Sequence, residues 1–283
     1  MGKKRVFAPL LLVAFLLFGG FTSVEPEAQT GASRFALAQV IDSRGKAIVD
    51  IGVDDFVVQE AGTERELLDV RVADYPLVIV VDNGAAARDD FAMLQSAVAR
   101  FLTRLGPRPV TLITTAGTPT AVATFDDDRE TVASKLESLE WVDAPSQLLR
   151  ASALAGATIK RTGTLFSTIV VGTASPTEAH DADDAEPLAP IIDSRAVVHT
   201  VANVGRVGAA DQLLRGLTAQ THGDYIPIYV PASYQPAFDR LATRLTTEML
   251  IEYLVPADSK AADVKIGVRI PGTHVRGLGV APR

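Results

Sequence analysis

A single carboxylate occupies a position at which proteins often bind metal ions or activate water. Residues 78–87 read VIVVDNGAAA, so Asp82 ends an apolar run and is followed by small residues without hydroxyl groups. An acid in such a place needs other oxygen-bearing or proton-sharing side chains beside it to hold a cation or to catalyse hydrolysis. What Asp82 can do therefore depends on the elements that position it.

The apolar run belongs to a region in which strand-like and helix-like patterns alternate. Leu77–Val81 predicts a strand buried on both faces, and the spacing of apolar residues over 89–105 predicts a helix that Gly106 and Pro107 end. Further strands are predicted at 110–114, 121–125, 165–171, 196–202 and 225–230, and further helices at 126–139, 147–160, 209–219 and 233–247. This alternation predicts a doubly wound α/β fold, with a mostly parallel central sheet and helices on both faces. Asp82 then lies at the carboxyl edge of the sheet, where such folds bind ligands.

The regions on either side of this pattern are predicted to be β-structure and a targeting segment. Residues 34–73 predict a small β-segment, and two last strands, 250–255 and 264–270, predict a C-terminal hairpin. Three basic residues at 3–5 precede the apolar run Val6–Phe18, which is the layout of a signal peptide. No small-x-small cleavage site follows directly, so an uncleaved N-terminal anchor is the alternative. The predicted organisation is 1–33 signal peptide or anchor with a linker, 34–73 β-segment, and 74–283 α/β domain with the hairpin.

Composition excludes several classes of protein. The 283-residue chain has a formal net charge of −7 and no cysteine. Disulfides, thiol nucleophiles and cysteine metal sites are therefore excluded, and the acidic balance without a basic stripe argues against nucleic acid as a partner. The four histidines lie far apart in the sequence, and the acidic run 181–186 lacks the spacing of a calcium loop, which favours a solvated loop.

Several blocks of the sequence resemble one family. PLVIVVDNGAAARDDFAMLQSAVARFL, at 76–102, resembles the first strand and helix of a von Willebrand factor type A domain. VIDSRGKAIVDIGVDDFVVQEAG resembles the short β-segment that precedes such domains in a bacterial exported subgroup, and FDRLATRLTTEMLIEYLVPAD followed by ADVKIGVRIPGTHVRG resembles its closing helix and strands. The resemblance covers residues 34–276, and it implies the same α/β fold.

The resemblance also implies the place of a metal-ion-dependent adhesion site. The family pattern is Asp-x-Ser-x-Ser after the first strand, then a Thr, then a second Asp. The matching positions here are Asp82, Gly84, Ala86, Ser146 and Thr173. Because two hydroxyls and one acid are missing, the expectation is a degenerate site without a cofactor, at most with weak Mg²⁺ or Mn²⁺ binding.

The function expected from these observations is a non-catalytic, exported protein-binding module, periplasmic or secreted. Its partner is expected to be another protein, bound by the loops 82–88, 143–147 and 173–187. One alternative is a hydrolase using Asp82, because residues 81–85 echo the loop of aspartic proteases. Asn83 replaces the hydroxyl residue of that loop, and no second such loop occurs. The other alternative is a structural envelope component held by its N-terminal segment.

Overall fold

The computed structural model describes residues 31–175, 188–207, 212–260 and 262–282. These residues belong to one compact unit, Gly31–Arg283. The predicted signal segment and residues 176–187 of the third predicted binding loop lie outside the described residues. No helix in the described ranges is both long and apolar enough to cross a membrane.

Strands and helices alternate along most of the described chain. The strands are β1 Gly31–Asp42, β2 Phe56–Glu60, β3 Thr63–Arg65, β4 Leu67–Val72, β5 Leu77–Val81, β6 Val110–Thr114, β7 Thr120–Ala123, β8 Thr168–Thr173, β9 Val197–Asn203, β10 Tyr225–Ile228, β11 Glu248–Pro256, β12 Val264–Val268 and β13 Thr273–Ala281. The helices are α1 Phe91–Arg104, α2 Arg129–Glu137, α3 Leu148–Thr162, α4 Leu188–Asp193, α5 Val204–Val207, α6 Gln212–Gln220 and α7 Tyr234–Leu245.

The central sheet has six strands in the order β10-β9-β8-β5-β6-β7. Neighbouring strands are parallel except for β6 and β7, which are antiparallel. Every residue of β5 and of β8 is buried, because helices cover both faces. Helices α1, α2 and α7 pack over one face and α3, α4 and α6 over the other. The predicted α/β fold class is confirmed.

Two further sheets form a small sandwich from both ends of the chain. One sheet has the order β13-β1-β11-β4 and the other β12-β2-β3. Their apolar side chains, among them Phe56, Val58, Ile251 and Tyr253, form a separate core. The pairing of β1 with β11 joins residues more than 200 positions apart, so this core closes only when the C-terminal strands have arrived.

The predicted C-terminal hairpin is wrong in its pairing. The last three strands do not pair with one another: β11 pairs with β1 and β4, β12 with β2, and β13 with β1. Each thus buries its apolar face against the N-terminal β-segment, which offers more apolar surface than a two-stranded hairpin would. Helix α2 is shorter than the predicted range 126–139, and it is capped by Asp128. The Asp128 carboxylate accepts the N–H of Thr131 at 2.7 Å.

Candidate functional site

The candidate site is built around Asp82, the residue that follows β5. The backbone N–H of Asp82 still donates to Gly172 of β8 at 3.0 Å, so the start of the loop is held by the sheet. The side chain is 0% exposed. It lies at the carboxyl edge between the loops that follow β6 and β8, as the alternation of strands and helices predicts.

Both oxygens of the Asp82 carboxylate accept hydrogen bonds from the protein. On Oδ1 the donors are the N–H of Gly84 at 3.3 Å and the hydroxyls of Thr115 at 3.1 Å and Ser146 at 2.5 Å. On Oδ2 they are the hydroxyl of Thr173 at 2.8 Å and the N–H groups of Ala174 at 3.0 Å and Ser175 at 2.8 Å. A carboxylate offers about four lone-pair sites. These six donors therefore use its accepting capacity fully.

Gly84 allows this arrangement because it has no side chain. A Cβ at this position would lie 2.1 Å from Ser146 Oγ and 3.0 Å from both the oxygen of Ala144 and the nitrogen of Ser146. The backbone of Gly84 is extended, with φ −79° and ψ 175°, so space and not conformation requires glycine. The Ser146 hydroxyl therefore sits within the volume that a side chain at position 84 would need.

Asn83 joins three loops at the same edge. Its side-chain oxygen accepts the N–H groups of Thr115 at 3.1 Å and Ala116 at 3.0 Å, and its amide nitrogen donates to the oxygen of Glu140 at 3.2 Å. The loop containing Ser146 is tied to the same place, since Gln147 N–H donates to the oxygen of Thr115 at 2.9 Å. These contacts make the edge a fixed surface rather than a set of independent loops.

Small and apolar side chains cover the site on the solvent side. Ala85, Ala86, Val142 and Pro145 are exposed above the buried carboxylate. A shallow depression of about 290 Å³ lies there, lined by Ala85, Ala86, Asp143, Ala144, Pro145, Ser146 and Ser175. At its side, the guanidinium of Arg88 lies 4.4 Å from the ring centroid of Trp141, whose other contacts are with the core under α1.

Four of the five predicted positions come together in the structure. Gly84, Ser146 and Thr173 all contact the Asp82 carboxylate, whereas Ala86 faces solvent and lines the depression. Three further donors were not predicted from the sequence: the hydroxyl of Thr115 and the backbone N–H groups of Ala174 and Ser175. Only Thr115 had a signal in the sequence, because it is a small polar residue directly after a buried strand, whereas backbone donors leave none.

Comparison with known proteins identifies the domain. Residues 77–173 match the family model of the von Willebrand factor type A domain, a range that runs from the start of β5 to the end of β8. The chain contains a von Willebrand factor type A domain. Domains of this family are typically adhesion or protein-interaction modules. No curated protein matches the sequence.

Several solved structures are similar to this chain at low sequence identity. A von Willebrand factor type A protein from Catenulispora acidiphila aligns with 11% identity over 90% of this chain and 74% of its own, with a TM-score of 0.54. Proximal thread matrix protein 1 of the mussel byssus, solved with a zinc-occupied metal-ion-dependent adhesion motif, aligns with 8% identity over 66% of this chain and 49% of its own, with a TM-score of 0.51. The D319A mutant of the PilB minor pilin from Streptococcus sanguinis aligns with 10% identity over 62% of each chain, with a TM-score of 0.48.

Proposed function

We propose that this protein is a non-catalytic, exported binding module that recognises another protein at the carboxyl edge of its central sheet without a metal ion. The observation that carries this proposal is the Asp82 carboxylate, which accepts six hydrogen bonds from the protein beneath an exposed surface of small residues. In this proposal Asp82 fixes the binding loops and does not itself contact the partner.

The donor set around Asp82 supports binding without a metal. Mg²⁺ prefers about six oxygen ligands in octahedral order, some of them waters. Gly84 and Ala86 carry no side-chain oxygen that could bind a cation. The Ser146 hydroxyl, which donates to Asp82, occupies the space that a side chain at position 84 would need. The structure has no group of three or more His, Asp or Glu side chains with metal-site geometry in the ranges it describes. A cation would have to displace hydrogen bonds that hold three loops together.

The same contacts favour a structural role over hydrolysis by Asp82. A general base must reach a water or a substrate proton, yet both oxygens of this carboxylate are occupied and the side chain is 0% exposed. Ser146 and Ser175, which donate to this carboxylate, line the depression, whereas Asp82 itself does not. We therefore prefer the binding module to the alternative of an Asp82 hydrolase.

The exposed surface supports a protein as the partner. The depression is shallow, and its rim combines the exposed Val142 and Pro145 with the planar guanidinium of Arg88 stacked on Trp141. Apolar contact area together with aromatic and arginine side chains is typical of protein interfaces. Export is proposed from the basic start and apolar run at residues 3–18.

A pull-down from the native envelope fraction, performed in EDTA and again in Mg²⁺, tests the proposal. We expect the same partner in both buffers and its loss with Ala86→Arg or Val142→Asp, each of which changes an exposed residue of the depression or its rim. Thr103→Arg changes an exposed residue near the C-terminal end of α1, and this matched control should retain the partner. A partner recovered only in Mg²⁺, or retained by both edge variants, would contradict the proposal.

A further inference from the structure

A second cavity lies at the opposite, amino edge of the central sheet. It has a volume of about 840 Å³ and is bounded by β13 and by the segments that precede β5, β8, β9 and β10. Cavities of about 300–1,000 Å³ are the size that small-molecule ligands occupy. This cavity could not be predicted from the sequence, because its walls come from seven separate parts of the chain.

Buried polar groups line this cavity. The hydroxyl of Tyr75 donates to the Glu248 carboxyl and accepts from the hydroxyl of Thr168 at 3.3 Å. Arg244, whose side chain is 10% exposed, forms ion pairs with Asp224 and, at 3.7 Å, with Glu248. Its Nη1 atom contacts the Asp224 carboxylate, and its Nε atom is the one that faces Glu248. The guanidinium of Arg244 is therefore held between two acidic side chains.

His199 adds a donor of fixed orientation. Its Nδ1 atom accepts the N–H of Asp224 at 2.9 Å, so in the neutral ring the proton is on Nε2. Burial, together with the charges of Arg244 and Arg276, lowers the pKa of His199 to about 3. The ring is thus neutral at physiological pH, and it lines the cavity as a hydrogen-bond donor.

The cavity carries an excess of positive charge. Arg195, Arg244 and Arg276 line it, whereas Glu248 is the one acidic lining residue among those that the structure describes. Asp224 lies behind them, paired with Arg244 and, at 4.0 Å, with Arg276. Three guanidinium groups therefore face two carboxyl groups, and burial raises the pKa of Glu248, which favours its neutral form. This excess occurs in a protein whose net charge is −7.

Apolar side chains form the remaining walls. Leu165 is 47% exposed and Ile192 is 38% exposed, and both lie at this cavity. Phe166, Leu278 and Val280 line it more deeply. Exposed aliphatic side chains beside a cationic pocket suit a ligand with one charged end and an apolar body.

We propose that the cavity at the amino edge binds a small organic carboxylate with an apolar body. The carboxylate end faces Arg195, Arg276 and the Nε2–H of His199, and the apolar body packs between Leu165 and Ile192. This site is independent of the proposed partner surface, which lies at the other edge of the sheet.

Isothermal titration calorimetry of the full chain tests this proposal with octanoate and 4-phenylbutyrate as probes. Octylamine and 1-octanol serve as cationic and neutral controls. We expect at least one carboxylate to bind saturably at a single site, and neither control to do so. Saturable binding of neither carboxylate, or equal binding of octylamine, would overturn the proposal.

Two exposed arginines allow the site to be tested without disturbing the buried cluster. Arg195→Gln combined with Arg276→Gln should weaken binding of the carboxylate about tenfold, because charge-assisted contacts are lost. Arg150→Gln combined with Arg161→Gln, which changes two exposed arginines of α3, is the charge-matched control and should bind as the parent does. Circular dichroism melting identifies any variant that is not folded. Leu165→Ser is a second test variant: it leaves every charge in place, and we expect it to bind the carboxylate more weakly. Unchanged affinity in both the double variant and Leu165→Ser would place the ligand elsewhere.

Discussion

Replacing Asp82 by asparagine should destabilise the protein, because the carboxylate joins the loops that follow β5, β6 and β8. Asparagine has the same shape but offers one accepting oxygen and one donating NH₂ group. If the NH₂ replaced Oδ2, it would face the N–H groups of Ala174 and Ser175, which cannot become acceptors. The NH₂ group should therefore take the Oδ1 side, where the hydroxyls of Thr115 and Ser146 can rotate to accept.

Even in that better orientation the variant loses stability. The N–H of Gly84, at 3.3 Å from Oδ1, loses its acceptor, and the other bonds lose the assistance of a charge. A buried donor left unsatisfied costs about 1–3 kcal/mol, and hydrogen bonds to charged groups are worth about twice those to neutral ones. We expect Asp82→Asn to lower the free energy of unfolding by about 2–4 kcal/mol. In a domain of this size, each kcal/mol lowers Tm by roughly 2–4 °C.

Urea unfolding followed by circular dichroism, performed in EDTA, measures this change. Asp143→Asn is the matched control, since it removes an exposed carboxylate from the same edge and should alter stability by no more than about 0.5 kcal/mol. Equal stability of Asp82→Asn and the parent would refute a structural role for Asp82. If that variant also lost a hydrolytic activity, the hydrolase would become the better account.

Three further predictions concern the same edge and the buried histidine. Gly84→Ala should cost about 1–3 kcal/mol because its Cβ meets Ser146 Oγ at 2.1 Å, and in the double variant with Ser146→Ala the loss, measured by urea unfolding, should be smaller than the sum of the two single losses. Equal, additive losses would show that the two residues do not compete for space. The triple variant Gly84→Ser, Ala86→Ser and Thr173→Asp should be less stable than the parent in EDTA, because a second acid then faces Asp82. It should regain stability with Mg²⁺ in a thermal-shift assay. Absence of any Mg²⁺ response would show that these positions do not correspond to the family's ligand positions. For His199, the folded-state pKa of about 3 lies below the ordinary 6.5, so between these values the unfolded chain binds a proton that the folded protein does not, and stability falls as the pH drops through 6.5. Between pH 8 and pH 5 the free energy of unfolding should therefore fall by about 2 kcal/mol through this group. His199→Asn should remove that part of the pH dependence, as measured by urea unfolding. An identical pH profile in both proteins would contradict the burial of a neutral ring.

The α/β fold and the position of Asp82 could be predicted from local patterns. An apolar run such as Leu77–Val81 indicates a buried parallel strand, and the residue after it necessarily lies at the carboxyl edge. The sandwich pairing could not be predicted in the same way. β1 pairs with β11 and β13, and nothing in the sequence near β1 identifies partners more than 200 residues away.

The arrangement of donors around Asp82 was only partly accessible from the sequence. The absence of hydroxyls at Gly84 and Ala86 is visible in the residues themselves. That the Ser146 hydroxyl fills the space beside Gly84 depends on how closely two loops approach, which only coordinates show. The amino-edge cavity was hidden for a related reason, since Tyr75, His199 and Glu248 occur singly and meet only in the folded protein.

The central claim is that Asp82 holds the binding loops by hydrogen bonds from the protein and not through a cation. A thermal-shift titration of the parent protein with Mg²⁺, Mn²⁺ and Ca²⁺, starting from EDTA, tests it most directly. A ligand that binds the folded state at 100 times its Kd stabilises it by about 2.7 kcal/mol, so a functional metal site would raise Tm visibly. The account predicts no saturable rise in Tm with any of the three ions. A saturable rise with Mg²⁺ or Mn²⁺ that Asp82→Asn abolishes would contradict it.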